Sequence, residues 1–80
     1  MALYSVETGT SPEDVIARAK GYFGESGLGL SLVTEDACCV VFEGGGGHVS
    51  VTASDQENRT EVELETREWD YQVKQFMGQV

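Results

Sequence analysis

The sequence predicts a single α+β domain, residues 1–80, in the order β-α-β-β-β-β-α, an antiparallel sheet with both helices packed on one face. Three observations carry this reading. Residues 28–66 divide into four apolar runs separated by turn-forming residues. Two amphipathic stretches flank that block. The last run, Glu61-Val62-Glu63-Leu64-Glu65, alternates strictly between acidic and apolar side chains. Period-2 alternation puts one face of a strand on a core and the other in water.

The elements follow in order. Residues 2–7 form a short first strand, with Ala2, Tyr4 and Val6 on one face, and Thr8-Gly9-Thr10 ends it. Ser11-Pro12-Glu13-Asp14 is a helix start: a capping hydroxyl, a proline suited to the first helical position, and two acids where the helix dipole favours them. The helix runs to about Phe23, and Val15, Ile16, Ala19, Tyr22 and Phe23 lie on one stripe. Gly24 and Gly27 stop it.

Leu28, Leu30 and Leu32 alternate with small residues and predict a second strand over 28–33, followed by a turn at Glu35-Asp36. Cys38 to Glu43 is the third strand and His48 to Ala53 the fourth, joined by the four glycines 44–47. If those glycines close a hairpin, Phe42 lies opposite Val49, Val40 opposite Val51 and Cys38 opposite Ala53. The other face pairs Glu43 with His48, Val41 with Ser50 and Cys39 with Thr52. One register thus collects the apolar set on one side, the condition that specifies register strongly. A two-residue Glu35-Asp36 turn would spoil that sorting and suits the required positive φ angles poorly, so a longer connection is expected there. After a polar turn at Asp55 to Asn58, Thr60 to Thr66 is the fifth strand, with Val62 and Leu64 facing in. The final helix is predicted from about Arg67 to Met77, capped by Thr66. Trp69, Val73, Phe76, Met77 and Val80 lie on one stripe. Both helices are expected on the face of Leu28, Leu30, Leu32, Val40, Phe42, Val49, Val51, Val62 and Leu64, with strands two to five neighbouring one another in chain order.

Composition narrows the function. The net charge is −9, from 14 acidic and five basic residues. Nucleic-acid binding requires cations to neutralise phosphates, and Arg18, Lys20, Arg59, Arg67 and Lys74 are dispersed, so neither nucleic acid nor an anionic membrane is an expected partner. No apolar run approaches the ~20 residues of a membrane span. No basic segment precedes an apolar one at the N-terminus, so a cytoplasmic location is expected. The adjacent Cys38 and Cys39 point to opposite faces of an extended strand, which predicts free thiols in a reducing compartment. Two adjacent cysteines and one distant histidine fit no spaced zinc pattern, and neither metal nor other cofactor is expected.

The stretch Val6-Glu7-Thr8, followed by Ser11-Pro12-Glu13-Asp14-Val15-Ile16-Ala17, resembles the opening of the helix-grip proteins, the Bet v 1, START and polyketide-cyclase group. There a first strand leads into a helix beginning Ser-Pro-Glu. The element order is also similar to that of TATA-binding-protein repeats. The first resemblance implies an apolar ligand held under the C-terminal helix. This chain, however, lacks the additional strands and second helix that enclose the cavity in that group. The second implies DNA on a concave sheet, which the charge opposes.

The four glycines join two strands with no lysine after them, unlike a phosphate-cradling loop. Glu43 and His48 flank that loop as a cross-strand pair, the arrangement of an acid/base couple or of two metal ligands, and equally of a wet surface pair. Cys38 and Cys39 lack the positive neighbour that activates a thiolate. Tyr22, Trp69, Val73 and Phe76 are the candidate ligand-binding residues, at helical spacing that also suits a core. Cys39, Val41, His48, Ser50 and Thr52 make the outer face of strands three and four, the candidate interface. Glu61, Glu63 and Glu65 read as a carboxylate row that protects a sheet edge. The expected function is therefore a non-enzymatic binding or assembly module acting as a homodimer, or with another protein partner. The alternative is a miniature helix-grip protein binding a small apolar ligand between sheet and C-terminal helix. Truncating the one tryptophan, Trp69→Ala, is expected to cost ~3–5 kcal/mol, read from urea denaturation; a melting shift of a degree or two would contradict its placement against the core.

Overall fold

A computed structural model describes residues 2–36 and 38–80. It contains β1 (Ala2–Thr8), α1 (Pro12–Phe23), β2 (Ser31–Glu35), β3 (Cys39–Gly44), β4 (Gly47–Gln56), β5 (Arg59–Arg67) and α2 (Asp70–Met77), the predicted order. The strands form one antiparallel sheet in the order β1-β5-β4-β3-β2. The core is built from Val15, Ile16, Ala19 and Phe23 of α1 and Val73 and Phe76 of α2, set against the inward residues of β3, β4 and β5. Among these, Phe42, Val49, Val51, Val62 and Leu64 are fully buried. Phe23 lies at the aromatic centre, 5.2 Å from Phe76 and 5.7 Å from Phe42 between ring centroids. Both helices therefore occupy the same side of the sheet.

The β3–β4 register is the predicted one: Phe42 faces Val49, Val40 faces Val51, and Glu43 faces His48. The connection is tighter than four residues, because Gly44 and Gly47 still pair and only Gly45-Gly46 turns the chain. Both have positive φ, 60° and 80°, as a type I′ turn requires. Trp69 seals this turn. Its indole Nε1 donates to the Gly44 carbonyl at 2.9 Å, and a Cβ on Gly45 would lie 2.9 Å from its ring.

The structure corrects the second strand. β2 spans Ser31–Glu35 rather than 28–33. Leu30 is buried as expected, but Leu28 and Leu32 are 38% and 42% exposed. The leucine alternation is interrupted because residues 27–30 bond back to the end of α1: the amides of Gly27 and Gly29 donate to Gly24, that of Leu28 to Tyr22 and that of Leu30 to Phe23. Leu32 does face Phe42, but β2 is an outer strand. A bulge between Leu32 and Thr34 shifts the register and preserves that facing. The hairpin tip is closed by Asp36 and Cys39, which exchange backbone hydrogen bonds, so the turn lies beyond Glu35-Asp36.

Cys38 is thus part of the tip rather than of β3, and its side chain is not obliged to oppose that of Cys39. The two sulfurs form a vicinal disulfide, which corrects the expectation of free thiols.

The last helix also differs from its prediction. β5 continues to Arg67, Glu68 turns with φ 75°, and α2 begins at Asp70 without a side-chain cap. Thr66, the expected cap, is fully buried and its hydroxyl donates to the His48 carbonyl at 2.9 Å. The start of α2 is tied down by a different contact: the Tyr4 hydroxyl donates to Asp70 Oδ2 at 2.7 Å, bridging β1 to α2. The β4–β5 turn narrows to Glu57-Asn58, with Asn58 at φ 69°. At the first helix the prediction stands, and Ser11 Oγ accepts from the Asp14 amide at 3.3 Å.

Gly46→Ala should cost about 1–2 kcal/mol from the left-handed backbone alone. Gly45→Ala should cost more, because its Cβ also meets Trp69. An equal loss in urea denaturation would place the ring elsewhere. The carboxylate of Asp70, by accepting the phenolic proton, raises the Tyr4 pKa above its ordinary value, with burial and the carboxylate's charge adding to it. The folded chain holds that proton more tightly than the unfolded chain. The bond's contribution is therefore complete below the ordinary tyrosine range and is lost as pH rises through the raised value. Asp70→Asn should move the Tyr4 titration, followed by ultraviolet difference spectra, back toward normal.

Candidate functional site

With both helices on one side, the opposite face of the sheet carries no covering element among the described residues. Alternation assigns its residues. β4 presents His48, Ser50 and Thr52. β3 presents Glu43, Val41 and Cys39. β5 presents Arg67, Glu65, Glu63 and Glu61, and β1 presents Leu3, Ser5 and Glu7. Cys39, Val41, His48, Ser50 and Thr52, the expected interface residues, all lie here and are all half-buried by their strand neighbours.

The strongest chemistry sits at the glycine end. Ser31, Glu43, His48 and Arg67 occupy one cross-strand row over four strands. With Val33 they line an open depression of about 530 Å³. His48 Nε2 lies 3.5 Å from Glu65 Oε1, one residue pair along. Arg67 is exposed, while Lys20 and Arg59 are engaged by Glu35 and Glu7 at 2.6 and 3.4 Å. The row therefore sets a carboxylate, an imidazole and a guanidinium side by side, with Glu43 and Arg67 on either side of His48. Among the described residues no three His, Cys, Asp or Glu side chains are arranged to hold a metal ion.

β5 is an interior strand, paired with both β1 and β4, which corrects the reading of Glu61, Glu63 and Glu65 as an edge guard. These three glutamates form an acidic ridge within the face. Glu7 pairs directly opposite Glu61, and Arg59 Nε at 3.4 Å from Glu7 Oε1 offsets that like-charge contact. Two exposed aliphatic residues flank the ridge and the half-buried strip: Leu3 in β1, 68% exposed, and Val33 in β2, 50% exposed.

The residues expected to bind an apolar ligand lie on the other side. Val73 and Phe76 are buried, and Tyr22 and Trp69 are half-buried. Tyr22 and Phe76 pack on each other at 5.7 Å, whereas Trp69 turns onto the glycine hairpin. A groove of about 560 Å³ does exist on this side, between the end of α1 and β2, with Leu30, Leu32 and Phe42 along it rather than the α2 stripe.

Arg67, Leu3 and Val33 escaped the sequence reading as site residues. The sequence predicts Arg67 at about the start of the final helix, whereas it ends β5. The signal that locates it is the two-residue Glu57-Asn58 turn, which sets His48 opposite Arg67. No helix among the described residues is long and apolar enough to cross a membrane. The chain matches no protein-family model, no curated protein and no solved structure.

Proposed function

We propose that this chain is a non-enzymatic assembly module that pairs with a second copy of itself through the bare face of the sheet. One observation carries the reading: the residues of that face are self-complementary about an axis along β4. A twofold rotation about such an axis sets β5 of one copy over β3 of its partner, and β1 over β2. It brings Arg67 across from Glu43 of the partner copy and Leu3 across from Val33 of the partner copy. It also keeps each acidic ridge away from its own duplicate. The alternative axis, across the strands, would stack glutamate on glutamate.

Size supports the same reading. The five strands, of 7, 5, 6, 10 and 9 residues rising ~3.4 Å per residue and lying about 4.8 Å apart, cover on the order of 600 Å². That is at the lower end of the ~600–1,000 Å² per partner of a standard interface. Charge sets the condition. Two copies each carrying −9 repel at long range, and the repulsion is screened once the Debye length falls to ~10 Å near 0.1 M salt.

Sedimentation at high micromolar concentration should show a dimer, weaker at low ionic strength than at about 0.15 M salt. Leu3→Arg and Val33→Arg should each give a monomer. Arg67→Glu should weaken pairing about tenfold, ~1.4 kcal/mol, and combining it with Glu43→Arg should restore it. A monomer throughout, or a dimer indifferent to all four changes, would sink this reading.

A further inference from the structure

The vicinal disulfide at the β2–β3 tip has no structural task that we can identify. A cross-link stabilises by removing chain entropy from the unfolded state, in proportion to the loop it closes. Cys38 and Cys39 are neighbours, so no loop lies between them. The tip is closed without the bond: Asp36 and Cys39 exchange backbone hydrogen bonds at 2.8 and 3.4 Å, and the Ala53 amide donates to the Cys38 carbonyl at 2.9 Å. Neither cysteine belongs to the buried core. Cys38 is exposed and Cys39 half-buried, so the two residues differ in exposure.

We propose that Cys38–Cys39 is a thiol–disulfide exchange site for small or protein-borne thiols. An incoming thiolate attacks the accessible Cys38 Sγ. The Sγ–Sγ bond breaks, a mixed disulfide forms at Cys38, and the electron pair leaves on Cys39 Sγ, which takes up a proton. A second thiolate attacks the sulfur of the first, releasing the two as a disulfide and leaving Cys38 as a thiol. Two electrons pass from two external thiols to one protein disulfide, and the reverse sequence, with an external disulfide as oxidant, closes the ring again. The surroundings select the reactant. Asp36 precedes the pair, and Glu63 shares the cross-strand row of Cys39 and Thr52. The nearby Lys20 and Glu35 offset each other as an ion pair. This acidic setting repels an anionic thiol such as glutathione more than a neutral one such as 2-mercaptoethanol. Cys39 lies on the proposed pairing face and Cys38 at the tip beyond it, so exchange is followed at protein concentrations where sedimentation shows a monomer, which separates this inference from that reading.

The test equilibrates the native 80-residue chain in buffers of graded thiol-to-disulfide ratio, quenches with acid, alkylates and weighs the intact protein. The expected result is two populations, unlabelled and doubly labelled, exchanging without denaturant. The neutral thiol should react faster per thiolate than glutathione, the gap narrowing as salt is raised, and the urea midpoint should be the same in both oxidation states. The single variant Cys39→Ser, which leaves Cys38, should form a mixed disulfide faster than Cys38→Ser. Two free thiols at every ratio would overturn the proposal, as would a bond that opens only on unfolding or a urea midpoint that falls on reduction. Faster reaction at Cys39 would overturn the order of attack.

Discussion

The two-residue turn at Gly45-Gly46 is the constraint on which the remaining structure depends. It sets the pairing of β3 with β4, and a slip of one residue would exchange the two faces of both strands. With the observed register, Phe42, Val40, Val49 and Val51 meet the helices, and Val41, Ser50 and His48 meet solvent. The turn needs two residues with positive φ, which glycine supplies without steric cost. Trp69 then covers the turn from the threshold of α2, so the hairpin and the C-terminal helix are fixed by one side chain. The same contact explains why α2 begins where it does: the chain must leave β5 at Arg67, turn at Glu68 and deliver the indole before a helix can start.

Much of this was legible in the sequence, for physical reasons that can be named. The core stripe of α1, its serine cap and the β3–β4 register all follow from short-range rules, periodicity and turn chemistry, and the structure agrees with each. What failed depended on hydrogen-bond partners and strand neighbours that periodicity does not encode. Leu28-Gly29-Leu30 has the alternation of a strand, but its amides are taken by carbonyls at the end of α1, which no periodicity reveals. Thr66 is a good cap by type, yet its hydroxyl is captured by His48 on the adjacent strand. β5 reads as the sheet edge until β1 is placed beside it, and a strand 52 or more residues upstream leaves no local signal. The candidate face followed from alternation. Its outer members did not: Arg67 needed the β4–β5 register, and Val33 needed the bulge.

The distribution of charge completes the division of the molecule. The interior holds no unpartnered buried polar side-chain atom among the described residues, and its buried threonines sit among strand neighbours. The acidic excess is carried on surfaces, much of it on the face opposite the helices. That face is therefore neither an anonymous solvent boundary nor a hydrophobic patch waiting to aggregate. It offers an uncharged strip, an acidic ridge and one row in which Glu43 and Arg67 flank His48.

The pairing of β1 with β5 has a consequence for how the chain reaches this structure. Ala2 aligns with Thr66 and Thr8 with Thr60, so β1 completes its hydrogen bonds only when β5 is in place. Until then β1 has no strand beside it, and the cooperative unit cannot close before α2 brings Asp70 to Tyr4. Such long-range closure slows folding relative to proteins rich in local contacts. Without β5, β1 has no partner strand, and Tyr4 and Val6 lose Leu64 and Val62, the residues they face across the seam.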